Sequence, residues 1–345
     1  MKILVPSLFA FLLLAPAAAA GGLQKSRVPA GARWLVHLDV EAMKRSKLYE
    51  VVHEASGESG TNEMDEGLEH VRMFAGLDPT MDFQSVTLFC AGAVPESCVA
   101  VFSGNAKIDT ALEKLRTLAS YHTTPVGNRA LHTWGDGHET WYAWVRRTEG
   151  SDERVVVASQ DEDEVVREIG LLEGTGETLA SASRPSIAAR PSSGSILFAA
   201  AGENLRELGD VHPVSAIAKL AQAIEVDVGE ERGDLRVHVG LDAHSPEDAQ
   251  RIHQVLQGAV ALVGLAGVEH EEMAAKLQPL VDAIRLGVSN TRVDADFRYG
   301  VQALFDSLKS LDDHHEGRGD RTEARKKGHH GDRHHRDGED KDKDE

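Results

Sequence analysis

The sequence predicts an α+β protein with two similar halves, each an antiparallel sheet with helices on one face, followed by a disordered C-terminal tail. Three observations support this class. The predicted elements run in the order β-α-β-β-α-β-β-α in residues 21–173 and again in residues 195–311. Apolar and polar side chains alternate from Asp234 to Leu241, which is typical of a strand with one buried and one hydrated face. Residues 312–345 hold almost no apolar side chains and cannot bury enough surface to fold.

The first 20 residues have the features of a cleaved secretory signal peptide. Lys2 gives a short basic start, Ile3–Ala15 form an apolar core, and Ala18–Ala20 make an A-x-A cleavage site before Gly21. The apolar run is too short to span a bilayer, and no cysteine follows the site to carry a lipid anchor. We therefore expect an exported protein, periplasmic or extracellular, cleaved near Ala20 and without a membrane span or lipid anchor.

In the first half, residues 21–173, periodicity predicts both strands and helices. A strand over Trp34–Val40 precedes an amphipathic helix from Glu41 to about Ala55. The following elements are the strands SVTLFCA and SCVAVFSG, a helix over residues 107–120, the strands ALHTW, ETWYAWVRR and RVVVASQ, and a closing helix over residues 161–173.

Residues 174–194 are rich in Gly, Ser, Ala and Pro and predict a linker. After it, Ser245 and Pro246 are typical of an N-cap and first position of a long helix. The apolar run over residues 256–268 predicts a buried helix or helix end. Parts of each half resemble a ferredoxin-like β-α-β-β unit. The other elements of the second half are the strands SILFAAA, AIEVDVG, DLRVHVGLDA, AIRLGVS and TRVDADFRY, the helical ENLRELGD, and a helix over residues 301–311.

The chain is acidic, with a formal net charge of −19. A negative surface repels phosphate backbones and anionic headgroups, which excludes a nucleic-acid partner. It permits adsorption of cations, basic proteins or metal ions. The simpler interpretation is that the charge maintains solubility.

Two cysteines, Cys90 and Cys98, flank a predicted hairpin turn at residues 93–96. If they face each other across the strands, their sulfur atoms can bond, and export would favour the oxidised form. We therefore predict a structural disulfide. The alternative is two small buried residues whose thiols never meet.

Residues 132–144 predict a second hairpin, with its turn at Asp136-Gly137. Aromatic side chains on a hydrated sheet face could bind a glycan or an apolar ligand, and His132, Asp136 and His138 could bind a metal. The alternative is cross-strand aromatic packing. The segment holds three of the four tryptophans: Trp134, Trp141 and Trp144.

The C-terminal tail carries six of the 17 histidines among Asp and Glu residues. Imidazole and carboxylate groups bind Zn²⁺ and Ni²⁺ well, so a metal site is one interpretation. The other is a solvated tail whose charge changes with pH as its histidines titrate. The candidate ligands are His314, His315, His329, His330, His334 and His335.

Catalytic motifs give no indication of an enzyme. The sequence has no H-E-x-x-H, P-loop, dinucleotide fingerprint, EF-hand loop or C-x-x-C. We therefore predict no catalytic residue and no cofactor beyond the tail metal, and expect a non-enzymatic binding or scaffolding protein with a protein or small-ligand partner. The alternatives are a metal-binding or metal-buffering protein acting through the tail, and a hydrolase whose residues come from distant positions.

Residues 28–52, VPAGARWLVHLDVEAMKRSKLYEVV, follow the order proline, small residues, strand, Asp, helix. This segment resembles the start of mature exported proteins of unknown function from environmental bacteria, planctomycete-like ones in particular. The resemblance implies an exported α+β protein and carries over no functional residue.

Overall fold

The computed structural model describes residues 21–59, 72, 76–91, 97–135, 139–202, 205, 214–266 and 271–310. The predicted signal peptide and the histidine-rich tail lie outside these residues. None of the helices in these ranges combines the length and the hydrophobicity that a membrane span requires.

Twelve strands of the described residues form one antiparallel sheet in the order β11-β12-β10-β9-β8-β1-β2-β3-β7-β6-β5-β4. The predicted α+β class is therefore confirmed. Their bounds are β1 Trp34–Asp39, β2 Phe83–Cys90, β3 Cys98–Gly104, β4 His122–Val126, β5 Arg129–Gly135, β6 Thr140–Arg147, β7 Arg154–Ser159, β8 Ser195–Gly202, β9 Ala221–Glu231, β10 Asp234–Ala243, β11 Ile284–Ser289 and β12 Arg292–Gly300.

Several helices begin where a short polar side chain caps their first turn. Ser245 Oγ accepts from the Asp248 backbone N–H at 3.1 Å, and Asp161 Oδ1 accepts from that of Asp163 at 2.9 Å. The predicted helix from Glu41 is two helices, separated near Ser46. The bounds are α1 Val40–Lys44, α2 Lys47–Ser59, α3 Pro79–Asp82, α4 Ile108–Leu115, α5 Glu162–Leu172, α6 Val214–Leu220, α7 Pro246–Ala266 and α8 Glu271–Asp282, and residues 301–310 are also helical.

The two halves join edge to edge at the centre of the sheet. β1 pairs antiparallel with β8, from Trp34 opposite Ala201 to Leu38 opposite Leu197. Outward from this pair, β2, β3, β7 and β6 on one side occupy the places of β9, β10, β12 and β11 on the other. The first half adds β5 and β4 beyond β6. Pro125 is tolerated in β4 because on the outer side of an edge strand no backbone N–H is needed for a hydrogen bond to a neighbouring strand.

We call the sheet face that carries Leu35 face A, and the opposite face, which carries Val36, face B. On face A, the main core joins Leu35, Phe89 and Phe198 to the inner side of α5. On face B, α4 packs on β6 and β7 through Val145 and Val156. The first half thus has helices on both faces, because β6 and β7 carry apolar side chains on both sides: Trp144 and Val157 on face A, and Val145 and Val156 on face B.

In the second half, the described parts of α7 and of residues 301–310 pack on face B, against β10 and β12. Residues 174–194 connect the halves and belong to the main core, since Leu179, Ile187 and Ala189 are buried in it. This segment therefore closes over face A.

Candidate functional site

The tryptophan hairpin brings together two of its three predicted ligand residues. Trp134 and Trp141 lie directly opposite each other on β5 and β6. Trp144 is buried in the main core on face A. Trp134 and Trp141 are thus cross-strand neighbours, and Trp141 is the more exposed of the two.

Of the three residues that could bind a metal in this hairpin, His132 is the one that the structure describes. Its ring is buried, and its Nδ1 lies 2.7 Å from the Tyr121 hydroxyl, with which it shares a hydrogen bond. Burial, followed by the charges of Arg116 and Arg147, lowers the pKa of His132. Asp136 and His138 lie outside the described residues. The six tail histidines do too, and the part of the chain that is described holds no group of three or more potential metal ligands.

Cys90 and Cys98 are joined in a disulfide. They end β2 and begin β3, directly opposite each other in the antiparallel register. The bond therefore closes the β2–β3 hairpin next to the central strands.

Replacing both cysteines by alanine should lower the free energy of unfolding by about 2.5 kcal/mol, the chain-entropy estimate for a loop this short. Denaturant unfolding with and without reductant checks this. Reductant should destabilise the natural protein and leave the double variant unchanged. Equal stability of the two proteins under oxidising conditions would contradict the prediction.

A network of charged side chains covers face A of the second half. Arg292 of β12 lies at its centre, with Nε 2.8 Å from Asp294 Oδ1 and Nη1 3.3 Å from Asp242 Oδ2, and Nη2 pairs with Glu225. Gly240 of β10 provides the space, because a Cβ there would lie 2.9 Å from Glu225 Oε1 and overlap the guanidinium. Burial lowers the pKa of Arg292, but hydrogen bonds to Asp294 and Glu225 outweigh it and raise the pKa above its usual value.

His238 extends this network. Its Nδ1 lies 2.8 Å from Asp296 Oδ1, and its Nε2 lies 3.7 Å from Asp294 Oδ1 and 3.8 Å from Glu225 Oε1. The Arg292 guanidinium thus neutralises carboxylates of the same face. The network holds β9, β10 and β12 together, which is a structural role.

A second polar cluster attaches residues 191–195 to face A. The Ser192 backbone N–H donates to Asp227 Oδ2 at 2.8 Å, and the Ser192 hydroxyl bonds with Asp227 and Arg236. Asp227 is buried, and its Oδ1 has no hydrogen-bond partner among the described residues. These contacts fix the segment that closes over the core.

The most unusual surface is the second half of α7, which the sequence predicted to be buried. Ala249 and Ile252 of the first half are fully buried against the sheet. Further along, Leu262 is 67% exposed and Val263 46%. The prediction was wrong because the sheet covers one side of a helix, whereas this sequence is apolar all round. We call the exposed residues Val255, Ala259, Leu262 and Val263, which share one side of the helix, the α7 patch.

The α7 patch also offers room for a partner to approach. A Cβ placed on Gly258 or Gly264 would meet no atom within 4 Å. Residues 256–264 contain no charged side chain. Clusters of exposed apolar side chains on water-soluble surfaces mark interaction sites. The sequence signal was present in the run itself, but periodicity cannot tell a buried apolar helix from an exposed one.

No protein-family model matches the chain, and no curated protein matches it significantly. Three crystal structures of TP0453, a Treponema protein, align with 84% of the chain at 10% identity. Crystal form III gives a TM-score of 0.45 and covers 99% of the TP0453 chain. Form IV gives 0.43 with 99% coverage, and form I gives 0.41 with 98%. These alignments assign no function.

Proposed function

We propose that this is an exported, non-enzymatic binding protein that contacts a protein partner through the α7 patch. The observation that supports it is the exposure of Leu262 and Val263 on a helix segment without charges. The signal-peptide pattern of residues 1–20 supports export.

The energetics favour a contact at this surface. Burying one Leu or Val side chain is worth about 1.5–3 kcal/mol, so the few large residues of the patch can supply a substantial part of a binding free energy. Gly258 and Gly264 would let a partner helix or strand come close to the backbone of α7. The acidic chain repels phosphate headgroups, which favours a protein over an anionic membrane surface.

Site-specific photocrosslinking in the producing cell tests this function. A photoreactive amino acid replaces Leu262, and a matched protein carries it at Gln254, an exposed polar position of the same helix. We expect a discrete protein adduct from position 262 and none from position 254. Equal adducts from both positions, lipid adducts alone, or no adduct would contradict the proposal.

Leu262→Glu should change the free energy of unfolding by less than about 0.5 kcal/mol, because the side chain is largely exposed. Ile252→Ala, on the buried side of the same helix, should cost about 2–5 kcal/mol. Denaturant unfolding of the two variants measures both values. A large loss for Leu262→Glu would show that the patch is part of the core.

A further inference from the structure

Gly21, the first residue after the predicted cleavage site, is buried against the central strand of the sheet. His37 Nε2 lies 2.9 Å from the Gly21 carbonyl oxygen, and Nδ1 lies 2.9 Å from Thr87 Oγ1. Since a carbonyl can only accept, Nε2 carries the proton and Nδ1 accepts from the Thr87 hydroxyl. Burial lowers the pKa of His37 to about 4, against the raising effect of the Gly21 hydrogen bond, so this ring is neutral.

Asp39 lies two residues after His37, on the same face of β1, and its carboxylate lies beside Gly21. A Cβ on residue 21 would lie 2.6 Å from Asp39 Cγ and 3.0 Å from Oδ2, and closer still to Oδ1. A larger residue at position 21 would therefore have to displace the Asp39 carboxylate, which caps α1. Standard geometry puts the backbone nitrogen about 2.5 Å from the Cβ position, so the Gly21 nitrogen lies within about 5 Å of Asp39 Cγ.

The Asp39 carboxylate is poorly compensated. It is 7% exposed, and its Oδ1 accepts from the Ala42 backbone N–H at 2.7 Å to cap α1. Lys44 and Arg45, the basic residues that follow it on and just after α1, both pair with Glu41 instead, and Arg45 is largely exposed. Among the described residues, no ion pair reaches Asp39. Burial raises the pKa of Asp39 in spite of the lowering effect of the Ala42 hydrogen bond.

We propose that removal of residues 1–20 creates an ion pair between the new α-ammonium group of Gly21 and the Asp39 carboxylate. Hydrolysis of the Ala20–Gly21 peptide bond consumes one water, leaves a carboxylate on Ala20, and converts the Gly21 amide nitrogen into an amine that is protonated at neutral pH. This inference rests on the proposed export and cleavage.

The ion pair would couple maturation to the stability of the fold. Leu23 packs against the main core, and Arg27 donates to Ser103 Oγ at 2.7 Å and pairs with Glu153 at 3.1 Å. Residues 21–27 thus cross face A, and the ammonium group would fix their first residue. The uncleaved chain lacks that charge at Gly21, so its fold would be the less stable one, which suits a precursor that must cross a membrane unfolded.

A four-protein comparison tests the ion pair. Two mature proteins begin at Gly21 or at Ala20, so that their net charge is equal and the α-ammonium group is displaced by one residue. Each is also made with Asp39→Asn, which still caps α1. We expect the protein that begins at Gly21 to have an unfolding equilibrium constant about 10- to 100-fold lower than the one that begins at Ala20, which is the usual effect of a charged hydrogen bond. The difference should be present only when residue 39 is Asp.

Titration of the Gly21 α-amino group by NMR provides a readout that packing alone would not move. Its pKa should lie above the ordinary value of about 7.7–8.0 in the Gly21 start and return towards it in the Asp39→Asn protein. Equal stability of the two starts, an equal difference in the Asp39→Asn background, or an unshifted α-amino pKa would overturn the ion pair. N-terminal sequencing of the exported natural protein tests cleavage separately, since a different first residue would refute the predicted processing without bearing on the measured pair.

Discussion

Glu168→Gln should stabilise the protein increasingly as the pH rises, by up to roughly 5 kcal/mol above about pH 8. Glu168 is on the inner side of α5 and only 3% exposed, and its Oε1 makes no hydrogen bond to the described residues. Burial, and to a smaller extent the Glu164 carboxylate, raises the pKa of Glu168 to about 8.

The sign follows from proton linkage. The folded protein holds the Glu168 proton more tightly than the unfolded chain, whose glutamate has a pKa near 4.5. The contribution of the protonated group is therefore fully present below about pH 4.5 and is lost as the pH rises towards 8. Glutamine stays neutral and keeps a similar shape, so it avoids this loss.

Denaturant unfolding between pH 4.5 and 9 measures the effect. The free energy of unfolding of the natural protein is subtracted from that of the variant at each pH, so the contributions of the other titrating groups cancel. Asp163→Asn, an exposed carboxylate on the same helix, is the matched control and should give a small difference that hardly varies with pH. A Glu168→Gln difference that is flat across this range would show that the carboxyl group finds water or a cation in the folded state.

Local patterns in the sequence were sufficient to predict individual elements. The alternation of residues 234–241 predicted β10, and the Ser245-Pro246 start predicted α7. These features depend on residues close in the chain, whose side-chain periodicity and capping chemistry are set locally. Cys90 and Cys98 likewise face each other because a hairpin is a local structure.

Long-range features could not be predicted in the same way. The pairing of β1 with β8 joins strands more than 150 residues apart, and nothing in either strand specifies its neighbour. The sequence indicates the burial of Glu168 only weakly. It lies three residues after Val165 and four before Leu172, on the apolar stripe of α5, and a charged residue on such a stripe merits attention.

The contact between Gly21 and Asp39 could not be predicted from the sequence either. The sequence marks this residue only as the one after the A-x-A pattern. Its contact with Asp39 depends on the course of residues 21–33 back to β1, which no motif specifies.

Arg292→Met should lower the free energy of unfolding by about 2–4 kcal/mol. The guanidinium lies among the carboxylates of Glu225, Asp242 and Asp294 and is 27% exposed. Methionine fills a similar volume but leaves the three carboxylates facing one another without a cation between them. The estimate is lower than for a fully buried pair, because water reaches part of the network.

Arg298 of the same strand gives the matched control. It pairs with Asp234 at 3.0 Å and Glu231 at 3.5 Å but is 51% exposed, so Arg298→Met should cost less than about 1 kcal/mol. Urea unfolding of both variants at low and at high salt measures the two losses in the free energy of unfolding. Because salt screens repulsion between carboxylates, the loss from Arg292→Met should shrink as salt is added. Equal losses at both positions would mean that the charged face of the second half is an ordinary solvated surface. A loss confined to Arg292 would make this one side chain the main electrostatic contact between β9, β10 and β12.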